Sequence, residues 1–334
     1  MFWKELNQKK RKTLKIAIIK NILKFFFHIT PLLLCGQDTI YFNSANPFSF
    51  KDIIIDLETQ QPQSVYGVLR MPDYFIPNNR YPVIIAVAGS NGWSDHHYEY
   101  LSMYRSHGIA TFELCSFQSR GVSSTVGTQF EVTTAMMVLD SYQAYELLLE
   151  NPNIKSDKIG ITGWSLGGGV SLFSAWKPLN DAINEKVNFA VHLPIYPPCI
   201  VVPEMADFGH APIHILIGQL DNWTPADACL DFVNKVYARN INITVYPDAH
   251  HSFDSNSELM IEDNGYILED CRFSMKSNGT VCMNFLNIPM TTPILQKIGL
   301  MGCARRGPTY GSNQNAKRKA FLFAEKFMIK YLND

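Results

Sequence analysis

Five residues, Gly163-Trp164-Ser165-Leu166-Gly167, constrain the fold of this chain more than any other stretch. They follow an apolar run, 158–162, that reads as a strand, and precede 170–176, which reads as a helix. A chain that passes from strand to helix in so few residues turns sharply, and the residue at the apex is held in a strained backbone conformation. Its neighbours two positions away must be small, and Gly163 and Gly167 have no Cβ to collide across the turn. The turn displays the hydroxyl of Ser165. Leu166 opens the helix, so its backbone N–H lacks an intrahelical acceptor and is aimed where negative charge could develop.

The rest of the chain reads as strands alternating with helices. The run 81–88 has no polar alternation, the mark of a central strand buried on both faces. Strands are expected at 109–114, 187–195, 213–217 and 241–246, and helices at 96–107, 133–149, 226–239 and 317–332. Residues 52–57 and 65–69 read as two further strands forming an edge hairpin. This order implies a mostly parallel central sheet with helices on both faces. One stretch, 254–312, breaks the alternation. It is polar and carries three cysteines, and a loop of that length is rarely structureless inside a compact domain. It is expected to be an ordered excursion near the site, with a hairpin around Cys271 and Cys282.

In an open sheet of this kind, ligands bind beyond the carboxyl ends of the strands. The loops expected there hold Asp221, in 218–225, and the neighbours His250 and His251, in 247–253. A serine hydroxyl is a poor nucleophile until a base takes its proton, and an imidazole is a suitable base near neutral pH. A carboxylate on the other ring nitrogen would fix the tautomer and stabilise the imidazolium. Ser165, Asp221 and His251 are therefore candidate catalytic residues, with His250 competing for the base. The glycine loop 89–93 follows the central strand; Ser90, Asn91 or Gly92 could offer a second oxyanion donor beside Leu166, and Asn91 is the one selected. Arg120 could clamp an anionic substrate group or tie its loop to Glu131 or Asp140. Trp164 could line the site but is expected to pack beneath the elbow. His96 and His97 have no third ligand at metal spacing and are expected at the surface or a pocket rim.

The sequence resembles the dienelactone hydrolase family of α/β-hydrolases, in particular its bacterial serine members. The likeness runs over 83–332 and is carried by the glycine loop 89–92, by 116–121, by 160–168, by Tyr196-Pro197-Pro198-Cys199, by 221–229 and by 246–254. The family's Ala-x-His-x-Phe pattern falls on Ala249, His251 and Phe253. The resemblance implies an α/β-hydrolase fold and a serine hydrolase acting on a small molecule without metal or organic cofactor. Two departures are evident. Ser165 stands where the namesake enzymes use cysteine, which moves the expected substrate from a dienelactone towards a general carboxylic ester. Cys115 stands where relatives tend to carry aspartate. A peptidase or amidase on the same three residues, or a non-catalytic binding protein on a hydrolase scaffold, are the alternatives.

Charge and cysteine usage place the chain further. Its formal charge is −1, but residues 1–24 hold eight Lys/Arg against Glu5, which leaves −8 on the remainder. An acidic body does not suit nucleic acid. The basic start runs into an apolar stretch, 25–36, too short to span a bilayer. Residues 1–36 are expected to be a signal peptide, the alternative being a membrane anchor at the N-terminus, and 37–334 a single domain, periplasmic or secreted. Cys199 and Cys229 follow consecutive strands and are expected to pair in an exported protein. Cys271 is expected to pair with Cys303, with Cys282 as competitor. The sequence carries no sign of oligomeric state.

Overall fold

A computed structural model of the chain describes residues 37–284 and 286–333. The expected signal peptide or anchor lies outside the described residues. The apolar run 81–88 forms the middle of an eight-stranded sheet. In chain order the strands are β1 (Gln37–Ala45), β2 (Pro62–Arg70), β3 (Tyr81–Val87), β4 (Ala110–Leu114), β5 (Ile154–Trp164), β6 (His192–Ile195), β7 (Val201–Pro203), β8 (Ile213–Gly218) and β9 (Ile241–Tyr246). Of these nine, all but β7 join the sheet, in the order β1-β2-β4-β3-β5-β6-β8-β9. The first two pairings, β1 with β2 and β2 with β4, are antiparallel, and the remainder are parallel. Val83, Ile84, Ile85 and Val87 of β3 are fully buried, each side chain contributing roughly 1.5–3 kcal/mol by leaving water.

Among the described residues, eight helices accompany the strands: α1 (Phe50–Asp56), α2 (Asp95–Ser106), α3 (Thr134–Leu149), α4 (Leu166–Phe173), α5 (Lys177–Asn184), α6 (Ala226–Val236), α7 (Pro293–Met301) and α8 (Gln314–Leu332). They cover both faces of the sheet, as β5 makes plain. Gly160 and Gly163 point to opposite faces because side chains alternate along a strand. A Cβ on Gly160 would meet Leu332 of α8, whereas one on Gly163 would meet Gly167 of α4. On the α8 face, Tyr100 of α2 packs against Phe321, with ring centroids 5.0 Å apart. Among the described residues, no helix is long and apolar enough to cross a membrane.

Register puts the functional loops level. Val87 lies opposite Gly163, Trp164 opposite Ile195, Ile195 opposite Leu216, and Gly218 opposite Tyr246. The loops after β3, β5, β6, β8 and β9 therefore leave the sheet along one edge.

The expected hairpin of 52–57 with 65–69 is corrected. Residues 52–56 belong to helix α1, and the partner of β2 is β1, which reads as polar lead-in. The run Ile53-Ile54-Ile55 has strand propensity. A capping box overrides it: the Ser49 N–H donates to Asp52 Oδ2 at 2.9 Å, and the Ser49 side chain meets the backbone of Asp52. Phe50 and Ile53, one turn apart, are the buried face of the helix.

The stretch 254–312 is ordered. It contains β10 (Met260–Ile261), β11 (Tyr266–Ile267), β12 (Phe273–Met275), β13 (Val281–Met283), α7, β14 (Arg305–Arg306) and β15 (Thr309–Tyr310). β10 pairs with β15, and β11 with β14. The hairpin is β12–β13, and β12 also runs parallel to β7, which fastens the excursion to the loop after β6. Cys271 is bonded to Cys303, and Cys199 to Cys229. Cys282 is a buried free thiol.

Candidate active site

The elbow has the geometry its glycines demand. Ser165 sits at φ 56°, ψ −117°, a region an L-residue enters only under constraint. Its N–H donates to the Ile195 carbonyl at 2.9 Å, and its own carbonyl accepts from Gly169 as α4 begins. A Cβ on Gly163 would lie 2.2 Å from the Gly167 carbonyl oxygen, and one on Gly167 would lie 2.1 Å from that of Val87. Strand, turn and helix are thus packed backbone on backbone. Leu166 is the first residue of α4, so its N–H has no partner within the helix.

The loops after β8 and β9 bring two more side chains to the apex. His251 Nε2 lies 3.0 Å from Ser165 Oγ, and His251 Nδ1 lies 2.8 Å from Asp221 Oδ2. Both Asp221 and His251 are almost completely buried. Asp221 is held from its other side: Oδ1 accepts the N–H groups of Trp223 and Thr224 at 3.0 and 2.8 Å. That local turn is encoded in Asp221-Asn222-Trp223-Thr224, in which an aspartate captures the backbone ahead of it. Thr224 Oγ1 lies 2.9 Å from Asp221 Oδ2 and 3.0 Å from the Tyr196 carbonyl, so its single proton serves one of the two. A carboxylate placed this way directs Nδ1–H towards itself and leaves Nε2 free to accept from the serine. His250 is not the residue in contact with Ser165; its Nδ1 meets Thr309 Oγ1 at 2.8 Å.

Of the three expected oxyanion donors after β3, one is occupied: the Gly92 N–H donates to Gly89 at 2.9 Å. Asn91 turns its side chain to Ser124, accepting from Oγ at 3.0 Å. Ser90 borders both cavities at the elbow, described below, while Asn91 borders one.

Arg120 is not brought to the site. Its guanidinium grips Asp140 with Nη1 and Nη2, at 2.7 and 3.0 Å, and also donates to Ser116 O, Ala45 O and Asn46 Oδ1. It borders neither cavity. The alternative, a loop tie, describes this geometry, with Asp140 rather than Glu131 as partner. Glu131 instead accepts from Thr125 and Thr128. Cys115, at the departure from the family pattern, is a buried free thiol whose burial pushes its pKa up to about 11, so it adds no charge there.

Trp164 lies beneath the elbow, fully buried, with the His97 ring stacked on it at 4.4 Å. His96 and His97 are buried rather than at the surface, and they face the polar cavity. His97 Nδ1 accepts the Ser94 N–H as part of the cap of α2. Burial holds the His97 pKa well below the ordinary value, so the ring is neutral. His96 is lowered by the same cause, partly opposed by Asp254. Among the described residues, no three His, Cys, Asp or Glu side chains cluster to hold a metal ion.

Two cavities meet at Ser165. One, of about 210 Å³, is walled by Phe48, Phe50, Phe173, Ile200, Val281 and Leu300, among others. The other, of about 380 Å³, is bordered by His251, His96, Ser94, Ser255, Asn256 and Ser257, among others. The residues of the apolar cavity are not legible from local pattern, because α1, the loop after β6 and the excursion each supply part of its wall. Tyr196 and Thr224 also escape the sequence reading of the site, although both lie in segments that carry the family likeness.

A strained serine between a β-strand and a helix, on a mostly parallel sheet with helices on both faces, defines an α/β-hydrolase. A model of the dienelactone hydrolase family matches residues 104–270, half of the chain, and the protein belongs to that family. No curated protein matches the chain. Among solved structures, it is similar to a Klebsiella pneumoniae subsp. pneumoniae MGH 78578 protein assigned as a dienelactone hydrolase. Identity is 17%, over 65% of this chain and 89% of that one, with a TM-score of 0.45. It is also similar to P91, a dienelactone hydrolase-like promiscuous phosphotriesterase from metagenomic libraries, at 11% identity over 88% and 98% of the two chains, TM-score 0.49. Est1E from Butyrivibrio proteoclasticus shares 15% identity over 58% and 88%, TM-score 0.44.

Proposed function

We propose that this protein is a serine hydrolase of carboxylic esters, with Ser165 as nucleophile, His251 as base and Asp221 as the group that orients it. Ser165 Oγ attacks the ester carbonyl carbon while its proton passes to His251 Nε2. The oxyanion is met by the N–H groups of Leu166 and Asn91. The carbon–oxygen bond to the alcohol then breaks, and the departing oxygen takes the proton from His251. The acyl group stays on Ser165. Water, giving its proton to His251, attacks the acyl carbon, and Ser165 leaves with that proton returned to it. No metal or organic cofactor enters this chemistry.

The observation that carries the reading is the unbroken series from Ser165 Oγ through both nitrogens of His251 to Asp221, at 3.0 and 2.8 Å. The two disulfides support a protein that works in an oxidising compartment, periplasmic or secreted. The test is labelling by a fluorophosphonate. The expected result is a covalent adduct on the wild type that is absent from Ser165→Ala; a folded wild type that takes no label overturns the proposal. Turnover of small esters against matched amides and peptides then decides which acyl bond is cut.

A further inference from the structure

The two cavities at Ser165 differ in polarity, and His251 tells them apart. It borders the polar one and is not among the residues of the apolar one; of the two oxyanion donors, Leu166 borders the apolar cavity and Asn91 the polar one. In acyl transfer the base returns its proton to the leaving oxygen, so the alcohol portion must lie on the side of the imidazole. The acyl portion then extends the other way, past Leu166. From this we infer that the preferred substrate joins an apolar acyl group to a neutral, hydroxyl-rich alcohol. The inference rests on the ester-cleaving reading of Ser165 and adds to it the direction in which the substrate lies.

The walls bear out the division. Phe50, Phe173, Ile200, Phe273, Met290 and Leu300 offer the acyl group carbon surface, and although Gln129, Thr133, Thr134 and Gln296 also border this cavity, most of its wall is carbon. Across the serine, Ser94, Ser252, Ser255, Asn256 and Ser257 present hydroxyl and amide groups. Asn256 is fixed between Glu99 and Lys317, donating to the first at 3.0 Å and accepting from the second at 2.8 Å. Lys317 is itself paired with Glu99 at 2.8 Å, so its charge is met. Asp95 also borders this cavity and adds negative charge. A neutral polyol suits such a wall better than an anionic alcohol.

The experiment compares two isomeric esters, glyceryl hexanoate and hexyl glycerate, which carry the same atoms with the polarity reversed about the ester. The wild type is expected to cleave glyceryl hexanoate with at least tenfold higher kcat/KM. Val281→Trp, which fills the apolar cavity from the excursion, is expected to lower the ratio of glyceryl hexanoate to glyceryl acetate turnover at least tenfold. A wild type that labels with fluorophosphonate yet cleaves the two isomers equally, or prefers hexyl glycerate, overturns the inference and leaves the ester-cleaving reading standing. Absence of labelling overturns both. The isomer comparison needs no variant, so it decides the matter even if Val281→Trp fails to fold.

Discussion

Arg120 and Asp140 form a two-pronged ion pair, Nη1 to Oδ2 at 2.7 Å and Nη2 to Oδ1 at 3.0 Å, with side-chain exposures of 6% and 0%. Asp140 lies on α3, and the same guanidinium reaches Ala45 and Asn46 at the end of β1. The pair therefore joins the edge strand, the loop after β4 and a helix. Removing one member of a buried pair leaves the other uncompensated, at a cost of about 3–5 kcal/mol. Asp140→Asn is expected to lower the urea midpoint accordingly. Arg120→Lys is expected to fall short of restoring the wild type, since an ammonium cannot span both oxygens and the carbonyls. KM for anionic relative to neutral esters should not move in either variant. A selective rise for anionic esters would return Arg120 to the substrate.

Gly167→Ala places a carbon 2.1 Å from the Val87 oxygen and 2.6 Å from that of Ala88. Both neighbours are backbone, so the strand–turn–helix unit itself must move. Overpacking of this kind costs roughly 1–3 kcal/mol and sometimes more. The expected outcome is a lower melting temperature together with at least tenfold slower fluorophosphonate labelling, because Ser165 and the Leu166 N–H move with the backbone.

Asp221→Asn is expected to retain the fold and lose roughly ten-thousand-fold in kcat. The side-chain oxygen of the variant stays where the Trp223 and Thr224 N–H groups hold Oδ1. Its NH2 then faces His251 Nδ1, which must accept, and the ring proton moves to Nε2. The imidazole then presents a donor to a serine that needs an acceptor. Steady-state ester kinetics beside far-UV circular dichroism check both halves of this expectation.

His192 supplies an acid-sensitive element far from the chemistry. It is fully enclosed, and because the Ser171 carbonyl 2.8 Å away can only accept, Nδ1 carries the proton of a neutral ring. Burial lowers its pKa to about 4, against a weaker upward pull from that carbonyl. The folded pKa lies below the unfolded value of about 6.5. As pH falls through 6.5 the unfolded chain gains a proton that the folded one refuses, so stability declines between about pH 6.5 and 4 and this contribution levels off below. The full effect is on the order of 3 kcal/mol. His192→Gln is expected to flatten that slope in denaturant titrations at stepped pH; an unchanged slope would remove His192 from the account.

What could be read from the sequence was whatever a short stretch dictates by itself. The elbow needs Gly163 and Gly167 whatever surrounds them, and the Asp221 turn closes on its own backbone. The continuous apolar run of β3 permits little except a central strand, and the alternation beyond it gave the sheet and its two helical layers. The failures have an equally physical origin. Helix α1 was hidden by three isoleucines whose strand propensity outweighed a capping signal only four residues long. The apolar cavity was invisible because Phe50 and Leu300, 250 positions apart in the chain, border one cavity only once the excursion has folded over the body. Arg120 was ambiguous because a planar fork suits a ligand carboxylate and a buried aspartate equally well.

The excursion is tied to the body where β12 lies beside β7, with the Phe273 N–H donating to Ile200, and where the Leu268 N–H donates to the Asn222 carbonyl at 3.0 Å, while the Cys271–Cys303 bond closes the excursion on itself. One side of the apolar cavity is therefore a standing wall rather than a hinged flap. Selection among substrates then falls to static shape, and a homologous series of acyl lengths should show an abrupt cutoff rather than a gradual decline.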